Sequence, residues 1–220
     1  MLDTDVLSRA VPPRALDVVT PLGQVRFAVR VAGWDVPARP ELTWGLGSGA
    51  RLSRWRHRAV RLDVLAGPSV PRLPDGFPPV TRETTIFRVL ARESLDEFVV
   101  QAELTGVPGD AEGGPSTGER LDAFTVENAD AVVSVGGPDV ETLRHCSRAG
   151  QHVPPYWSGQ LADDAVELTG TTITWQLPAV ERGDYAELWV SVAWSEPSEQ
   201  PGTWFAVDID PARVRRELAQ

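Results

Sequence analysis

Five arginines, one tryptophan and one histidine lie within residues 51–61, in a chain whose formal net charge is -10. Glycines at 45, 47 and 49 precede this segment. Exposed backbone N–H groups and forked guanidinium groups both suit anions, so the segment could hold a phosphate or an acidic partner. A phosphate-binding glycine loop usually leads into a helix, whereas the residues after 51 alternate as in a strand. The predicted partner- or anion-binding residues are Arg51, Arg54, Arg56, Arg58, Arg61 and Trp55.

The segment Gly136–His152 is a candidate enzyme site. It holds Cys146, the single cysteine, and a thiolate nucleophile needs a nearby, oriented histidine. His145 would point about 100° away from Cys146 on a helix, and His152 follows the predicted end of that helix. Cys146 also continues an apolar stripe, which is typical of a core residue. We predict no catalytic residue here and lean towards a protein that is not an enzyme.

Metal binding is not favoured by any group of side chains. One cysteine and three histidines provide neither a cysteine-based zinc site nor a clear histidine cluster. The acidic pairs Asp163/Asp164 and Asp208/Asp210 match no calcium-loop spacing, and Asp210 is explained as a helix cap. We predict neither a metal site nor a cofactor.

Aromatic side chains provide a second candidate surface. The chain contains eight tryptophans, and the alternation of the strands places some of these side chains on outward faces. Exposed tryptophan and tyrosine rings contact protein partners or stack on sugars. The carbohydrate alternative expects Trp157, Trp189 or Trp204 to line one concave surface. The residues assigned to the predicted aromatic surface are Tyr156, Trp157, Tyr185, Trp189 and Trp204.

Short strands with a period of two residues have to position these side chains. The clearest are 24–31, 171–177, 185–194 and 204–209, and weaker ones are 60–65, 85–91, 98–104, 123–127, 131–135 and 164–168. Capping and stop signals predict an internal helix over about 139–149 and a C-terminal helix over about 211–219, with a possible short turn near 4–10. The expected fold is an antiparallel β-sandwich of roughly eight to ten strands.

Residues 51–65 are predicted to form one long strand, with Arg54, Arg56 and Arg58 on the same face as Val60 and Leu62. The proline-rich segment 66–80 is predicted to be a crossover within a single domain, 1–220. The alternative is a boundary there, with a small basic subdomain over 1–66 and an acidic domain over 80–220. Residues 106–119 are predicted to be a mobile hairpin tip.

Charge is distributed unevenly along the chain. Residues 1–92 hold 14 arginines and 8 acidic residues, whereas residues 93–220 hold 7 arginines and 23 acidic residues. The acidic part of the chain would repel phosphates, which disfavours nonspecific nucleic-acid binding. The sequence has no run of 18 apolar residues, so we predict no membrane-spanning helix. The absence of lysine suggests a GC-rich bacterial genome.

These patterns favour a non-catalytic bacterial module that binds another protein, or a second copy of itself, through an aromatic and charged surface. The N-terminal residues do not resemble a signal peptide, and together with the single cysteine they indicate the cytoplasm. Two alternatives stay open: a β-sandwich that binds a carbohydrate or another small ligand, and an enzyme with a site near Gly136–His152.

Overall fold

Fourteen β-strands are the main secondary structure in the computed structural model, which describes residues 16–117, 120–198 and 202–220. The strands are β1 Val18–Thr20, β2 Gly23–Val31, β3 Trp34–Asp35, β4 Leu42–Gly45, β5 Arg51–His57, β6 Val60–Pro68, β7 Thr81–Ala91, β8 Phe98–Thr105, β9 Glu112–Thr117, β10 Leu121–Glu127, β11 Val132–Pro138, β12 Val166–Thr169, β13 Thr172–Leu177 and β14 Tyr185–Ser195. The helices are α1 Val140–Arg148, α2 Thr203–Val207 and α3 Pro211–Leu218, with a 3₁₀ turn over Pro155–Gly159.

The strands form two antiparallel sheets that face each other. In the smaller sheet A the order is β1-β2-β8-β13-β12, with β3 also paired to β2. In the larger sheet B the order is β4-β5-β6-β7-β14-β11-β10-β9. The predicted antiparallel β-sandwich is confirmed. The strand number was underestimated because short strands such as β1, β3 and β4 are too brief to show a period of two.

The main core lies between the two sheets, where each strand turns alternate side chains inwards. Phe27 of sheet A meets Phe87 of sheet B edge to face, with ring centres 5.4 Å apart. Trp175 is fully buried, and its indole N–H donates a hydrogen bond to the carbonyl of Pro138. Such burial of large side chains provides most of the driving force for joining the sheets.

The outer face of sheet B is covered by the two C-terminal helices. Helix α3 begins at the N-cap Asp210, whose carboxylate accepts from two backbone N–H groups, and its buried Val214 and Leu218 pack on Ile86 and Trp189. Helix α2 packs on a separate patch of the same face. The predicted helices at 139–149 and 211–219 are confirmed within a residue or two. The predicted turn near 4–10 lies outside the described residues.

A buried arginine attaches the proline-rich crossover to this face. Arg82 of β7 is 2% exposed and donates to Ser69 Oγ, the Val70 carbonyl and the Ala206 carbonyl. Burial lowers the pKa of Arg82 to about 10, which leaves the side chain charged at neutral pH. The three bonds hold the crossover and helix α2 against sheet B, and strands from both sides of the crossover occur in both sheets.

The prediction of one strand over 51–65 is wrong. Arg58 and Ala59 form a two-residue turn, and β5 and β6 pair as a hairpin with His57 opposite Val60. Trp55 lies opposite Leu62 in the core, whereas Arg54 lies opposite Asp63 on the outer face. The turn reverses the chain, so Arg54 and Arg56 of β5 lie on the outer face, whereas Val60, Leu62 and Val64 of β6 lie in the core.

Two further local predictions are wrong. Residues 204–209 do not form a strand, because Thr203–Val207 is the helix α2, in which Thr203, Ala206 and Val207 are buried at helical spacing. Residues 112–117 form the strand β9, paired with β10, and not a loop tip. In the described part of the chain, no helix is both long and apolar enough to cross a membrane.

Candidate functional site

The arginines predicted to bind a partner are divided between paired and exposed positions. Arg54 donates from Nε and Nη2 to the two carboxylate oxygens of Asp63, at 2.5 and 2.9 Å, and Arg61 Nε lies 3.2 Å from the same carboxylate. Asp63 therefore already pairs with two of the five arginines predicted to bind a partner. Asp63 was not identified from the sequence.

The other residues predicted for this surface differ in how far they are exposed. Arg56 and Arg58 are exposed, and Arg58 lies 3.7 Å from Glu93, while Arg51 is half-buried near the start of β5. Trp55 is 1% exposed, and its indole N–H donates to the carbonyl of Pro37. The Trp55 ring therefore belongs to the core and not to the surface.

The five aromatic residues do not line one concave surface. Trp157 lies in the main core and donates to the Ala179 carbonyl, Trp189 lies beneath α3, and Trp204 packs with α2. Tyr156 accepts a hydrogen bond from a backbone N–H, while Tyr185 is exposed beside an arginine. The three tryptophans occupy three separate clusters, so the sugar surface expected from these rings is not present.

A cavity of about 540 Å³ lies between helix α1 and the start of helix α3, and we call it the α1–α3 cleft. Trp189 and Pro138 contribute apolar surface to it. Its size falls within the range of roughly 300–1,000 Å³ that is usual for small-ligand sites. The polar residues that line it include Arg120, Thr142, Gln151, His152, Asp208 and Asp210.

Packing and not anion binding explains the two glycines before α1. A Cβ on Gly137 would lie 2.6 Å from Cζ2 of Trp175, and the strand could not approach this ring with a larger residue. The helix N-terminus is occupied by Asp139, whose carboxylate accepts from the Thr142 N–H at 2.7 Å. The hydroxyl of Thr142 donates to the Arg120 carbonyl, which anchors one wall of the cleft.

His152 reaches the cleft because the chain turns sharply after α1. Gly150 and His152 both have positive φ, at 63° and 65°, and the His152 carbonyl accepts from the Glu187 N–H at 2.7 Å. The imidazole meets the Trp189 ring edge to face, and its Nδ1 lies 3.1 Å from Glu187 Oε2. These contacts attach the segment after α1 to strand β14.

Glu187 is a buried carboxylate shared by several positive groups. Its side chain is 2% exposed and contacts His152, Nη2 of Arg215 and, at 3.7 Å, Nε of Arg88. Burial, followed by the charge of Arg215, lowers the pKa of His152, and Asp210 opposes this shift. When the ring is neutral, Nδ1–H donates to Glu187 and Nε2 has no hydrogen-bond partner among the described residues.

The enzyme alternative at Gly136–His152 gains a cavity, but the described residues do not form the thiolate–histidine pair that it requires. Cys146 and both histidines line the α1–α3 cleft, yet no hydrogen bond joins the Cys146 thiol to either histidine in residues 120–198. Burial raises the pKa of Cys146, which disfavours the reactive thiolate. Within the ranges that the structure describes, no three His, Cys, Asp or Glu side chains are grouped as metal ligands.

Comparison with known proteins gives a fold and no family. No family model and no curated protein matches the chain. One similar solved structure carries the name kojibiose phosphorylase, from human microbiome, with a TM-score of 0.51 and 8% identity. The match covers 88% of this chain but 26% of that chain, so this chain corresponds to only part of that protein's length. At this identity the likeness concerns the arrangement of strands, and the chain is placed by its fold alone, a two-sheet antiparallel β-sandwich.

Proposed function

We propose that this protein is a carbohydrate-binding β-sandwich that holds a neutral sugar in the α1–α3 cleft without chemically changing it. The observation that carries the proposal is the mixture of hydrogen-bond donors and acceptors around one cavity of about 540 Å³. Sugar hydroxyls both donate and accept, so a cleft with both kinds of group complements them better than a cleft of one charge.

Each wall of the cleft has a distinct part in this proposal. Arg120 and Gln151 provide exposed donors on the side of α1. Asp208 is an exposed acceptor on the opposite side, whereas Oδ1 of Asp210 is already engaged by the N-terminus of α3. Nε2 of His152 adds an acceptor near the Trp189 edge. A pyranose ring placed between these walls would satisfy donors and acceptors together.

The similar solved structure supports this proposal only in suggesting a ligand class. Its name refers to a disaccharide, kojibiose, and the shared feature is the β-sandwich. Kojibiose and glucose are therefore sensible first sugars to test. Of the two carboxylates in the cleft, Asp210 caps helix α3, which favours binding over two-carboxylate catalysis in this proposal.

Isothermal titration calorimetry with kojibiose and glucose tests the proposal. We expect binding, with a roughly two- to tenfold loss of affinity in Asp208→Asn or Gln151→Ala, the effect of removing one hydrogen bond. Matched controls are Asp164→Asn and Gln160→Ala, which alter exposed residues outside the cleft. Absence of binding to both sugars, or equal losses in the controls, would contradict the proposal.

A second candidate function is self-association through strand β4. This strand is an edge of sheet B, all four of its residues are exposed, and the exposed fractions of Leu42 and Trp44 are 41% and 40%. Edge strands with apolar side chains are templates for pairing with another chain. The other edge of the same sheet is strand β9, which begins at Glu112, so a second copy could pair head to tail.

Sedimentation velocity over a series of protein concentrations tests the self-association. We expect the sedimentation coefficient to rise with concentration at low salt and to rise less at high salt. Trp44→Ser should reduce the rise, whereas Val19→Ser, at an exposed position on the edge of sheet A, should not. A coefficient that stays constant over the whole series would refute this candidate.

A further inference from the structure

Two neighbouring rows of side chains cross the outer face of sheet B. In the first row, strand register places Leu52 opposite Leu65, Leu65 opposite Ile86, and Ile86 opposite Trp189. This row is apolar. Leu52, Leu65 and Ile86 of this row form the floor of a second cavity, of about 180 Å³, which lies beside helix α3 and which we call the α3 side cleft.

The second row lies two residues from the first on each strand and consists of alternating charges. Arg54 lies opposite Asp63, Asp63 opposite Arg88, and Arg88 opposite Glu187. Cross-strand neighbours of opposite charge stabilise such a row. Asp63, Arg88 and Glu187 form one wall of the α3 side cleft, and Arg215 of α3 completes it.

The cluster around this cleft has more positive than negative charge. Asp63 is shared by Arg54 and Arg61, and Glu187 is shared by Arg88 and Arg215. Four guanidinium groups therefore share two carboxylates. The nearest other acid on α3, Glu217, lies 3.5 Å from Arg213.

The two arginines that line the cleft repel each other. Burial, and next the charge of Arg88, lower the pKa of Arg215. The Arg88 side chain is 43% exposed and its guanidinium stacks 4.5 Å from the centre of the Tyr185 ring, so it is accessible from solvent. Glu187 already lies between Arg88 and Arg215, and a second negative group beside it would relieve the remaining repulsion and use guanidinium donors that suit a carboxylate.

We propose that the α3 side cleft binds a small carboxylate that carries an apolar group. The carboxylate lies between Arg88 and Arg215, and the apolar group rests on Leu52, Leu65 and Ile86. The volume is below the range of roughly 300–1,000 Å³ typical of drug-sized ligands, so the ligand has about one ring or a short chain. This site is separate from the sugar site proposed above, and the two proposals stand or fall independently.

Titration calorimetry with benzoate tests this site. We expect benzoate to bind, and benzamide and inorganic phosphate at the same ionic strength to bind at least tenfold more weakly. Benzamide has the ring without the charge, and phosphate has the charge without the ring. Failure of benzoate to bind, or equal affinity for benzamide, would overturn the proposal.

Variants locate the binding within the protein. Arg88→Gln should weaken benzoate binding at least tenfold, whereas Arg182→Gln, at an exposed arginine outside the cleft, should leave it unchanged. Leu65→Glu places a tethered carboxylate in the cleft and should also prevent benzoate binding. Circular dichroism confirms that each variant is folded before titration. Unchanged affinity in folded Arg88→Gln or Leu65→Glu protein would overturn the proposed position, while the titration with kojibiose reports separately on the sugar site.

Discussion

Replacing the buried carboxylate of Glu187 by an amide is expected to destabilise the protein by about 2–3 kcal/mol. Glutamine has nearly the same shape, so Glu187→Gln removes the negative charge without making a cavity. Loss of one partner from a buried ion pair costs about 3–5 kcal/mol. Arg88 and Arg215 keep 43% and 37% of their side-chain surface in water, which screens part of that loss and lowers the expected value.

Urea unfolding and thermal denaturation measure this change. For a chain of this length, about 2–3 kcal/mol corresponds to a fall of roughly 4–12 °C in Tm. Glu127→Gln, at an exposed position at the end of β10, is the matched control and should stay within about 0.5 kcal/mol of the wild type. The double variant Glu187→Gln/Arg215→Gln should lose less than the sum of the single variants, because both single changes break the same pair.

A loss below about 1 kcal/mol in Glu187→Gln would refute the reasoning, because it would mean that water solvates Arg88 and Arg215 as well as the carboxylate does. Strict additivity in the double variant would also refute it. In that case the contact between Glu187 and Arg215 would contribute nothing to the stability of the folded protein.

Three further predictions concern the walls of the α1–α3 cleft. Gly137→Ala should lower the free energy of unfolding by about 1–3 kcal/mol in urea, because the new Cβ would lie 2.6 Å from the Trp175 ring. Gly159→Ala, which places a Cβ in open space, should have little effect. Similar losses in the two variants would contradict the packing argument. Burial lowers the pKa of His152, so below about pH 6.5 the unfolded chain takes up a proton that the folded protein excludes, and the free energy of unfolding falls as the pH decreases. His152→Gln should flatten this part of the pH profile of stability. An unchanged slope in that variant would contradict the assignment to His152. Cys146 should react with iodoacetamide more slowly than free cysteine at pH 8, since burial raises its pKa, and a faster reaction would show that the thiol is activated.

Local patterns in the sequence were sufficient to predict most of the elements. The alternation in 24–31, 171–177 and 185–194 arises because one face of each strand is buried, and these strands were predicted to within a residue or two. Helices α1 and α3 were predicted from the caps Asp139 and Asp210, which do form the expected hydrogen bonds to backbone N–H groups.

The wrong predictions came from segments whose local pattern fits two structures. The turn at Arg58–Ala59 has no glycine, proline or asparagine, so nothing in 51–65 indicated that the strand reverses. The apolar residues in 204–209 are too few to distinguish a period of two from a helical period, and contact with sheet B stabilises the helix.

The candidate sites depend on register between distant strands, which the sequence does not specify locally. Glu187 and Arg88 are opposite each other only because β14 pairs with β7 in one register. The available signal was a charged residue within an apolar strand, as for Asp63 in β6 and Glu187 in β14. That signal predicts that both residues are buried charges with ion-pair partners, but it does not identify those partners.

The pairing of β7 with β14 also has a consequence for how the protein folds. Thr81 lies opposite Trp194, so closing the middle of sheet B joins residues that are up to 113 positions apart in the chain. The hairpin β5–β6, by contrast, joins near neighbours. Contacts of such long sequence separation cost more chain entropy and form slowly, typically in milliseconds to seconds for β-rich proteins. Because β14 contributes Trp189 to one cleft and Glu187 to the other, neither cleft exists until this closure is complete, and ligand binding should report on the pairing of β14 with β7.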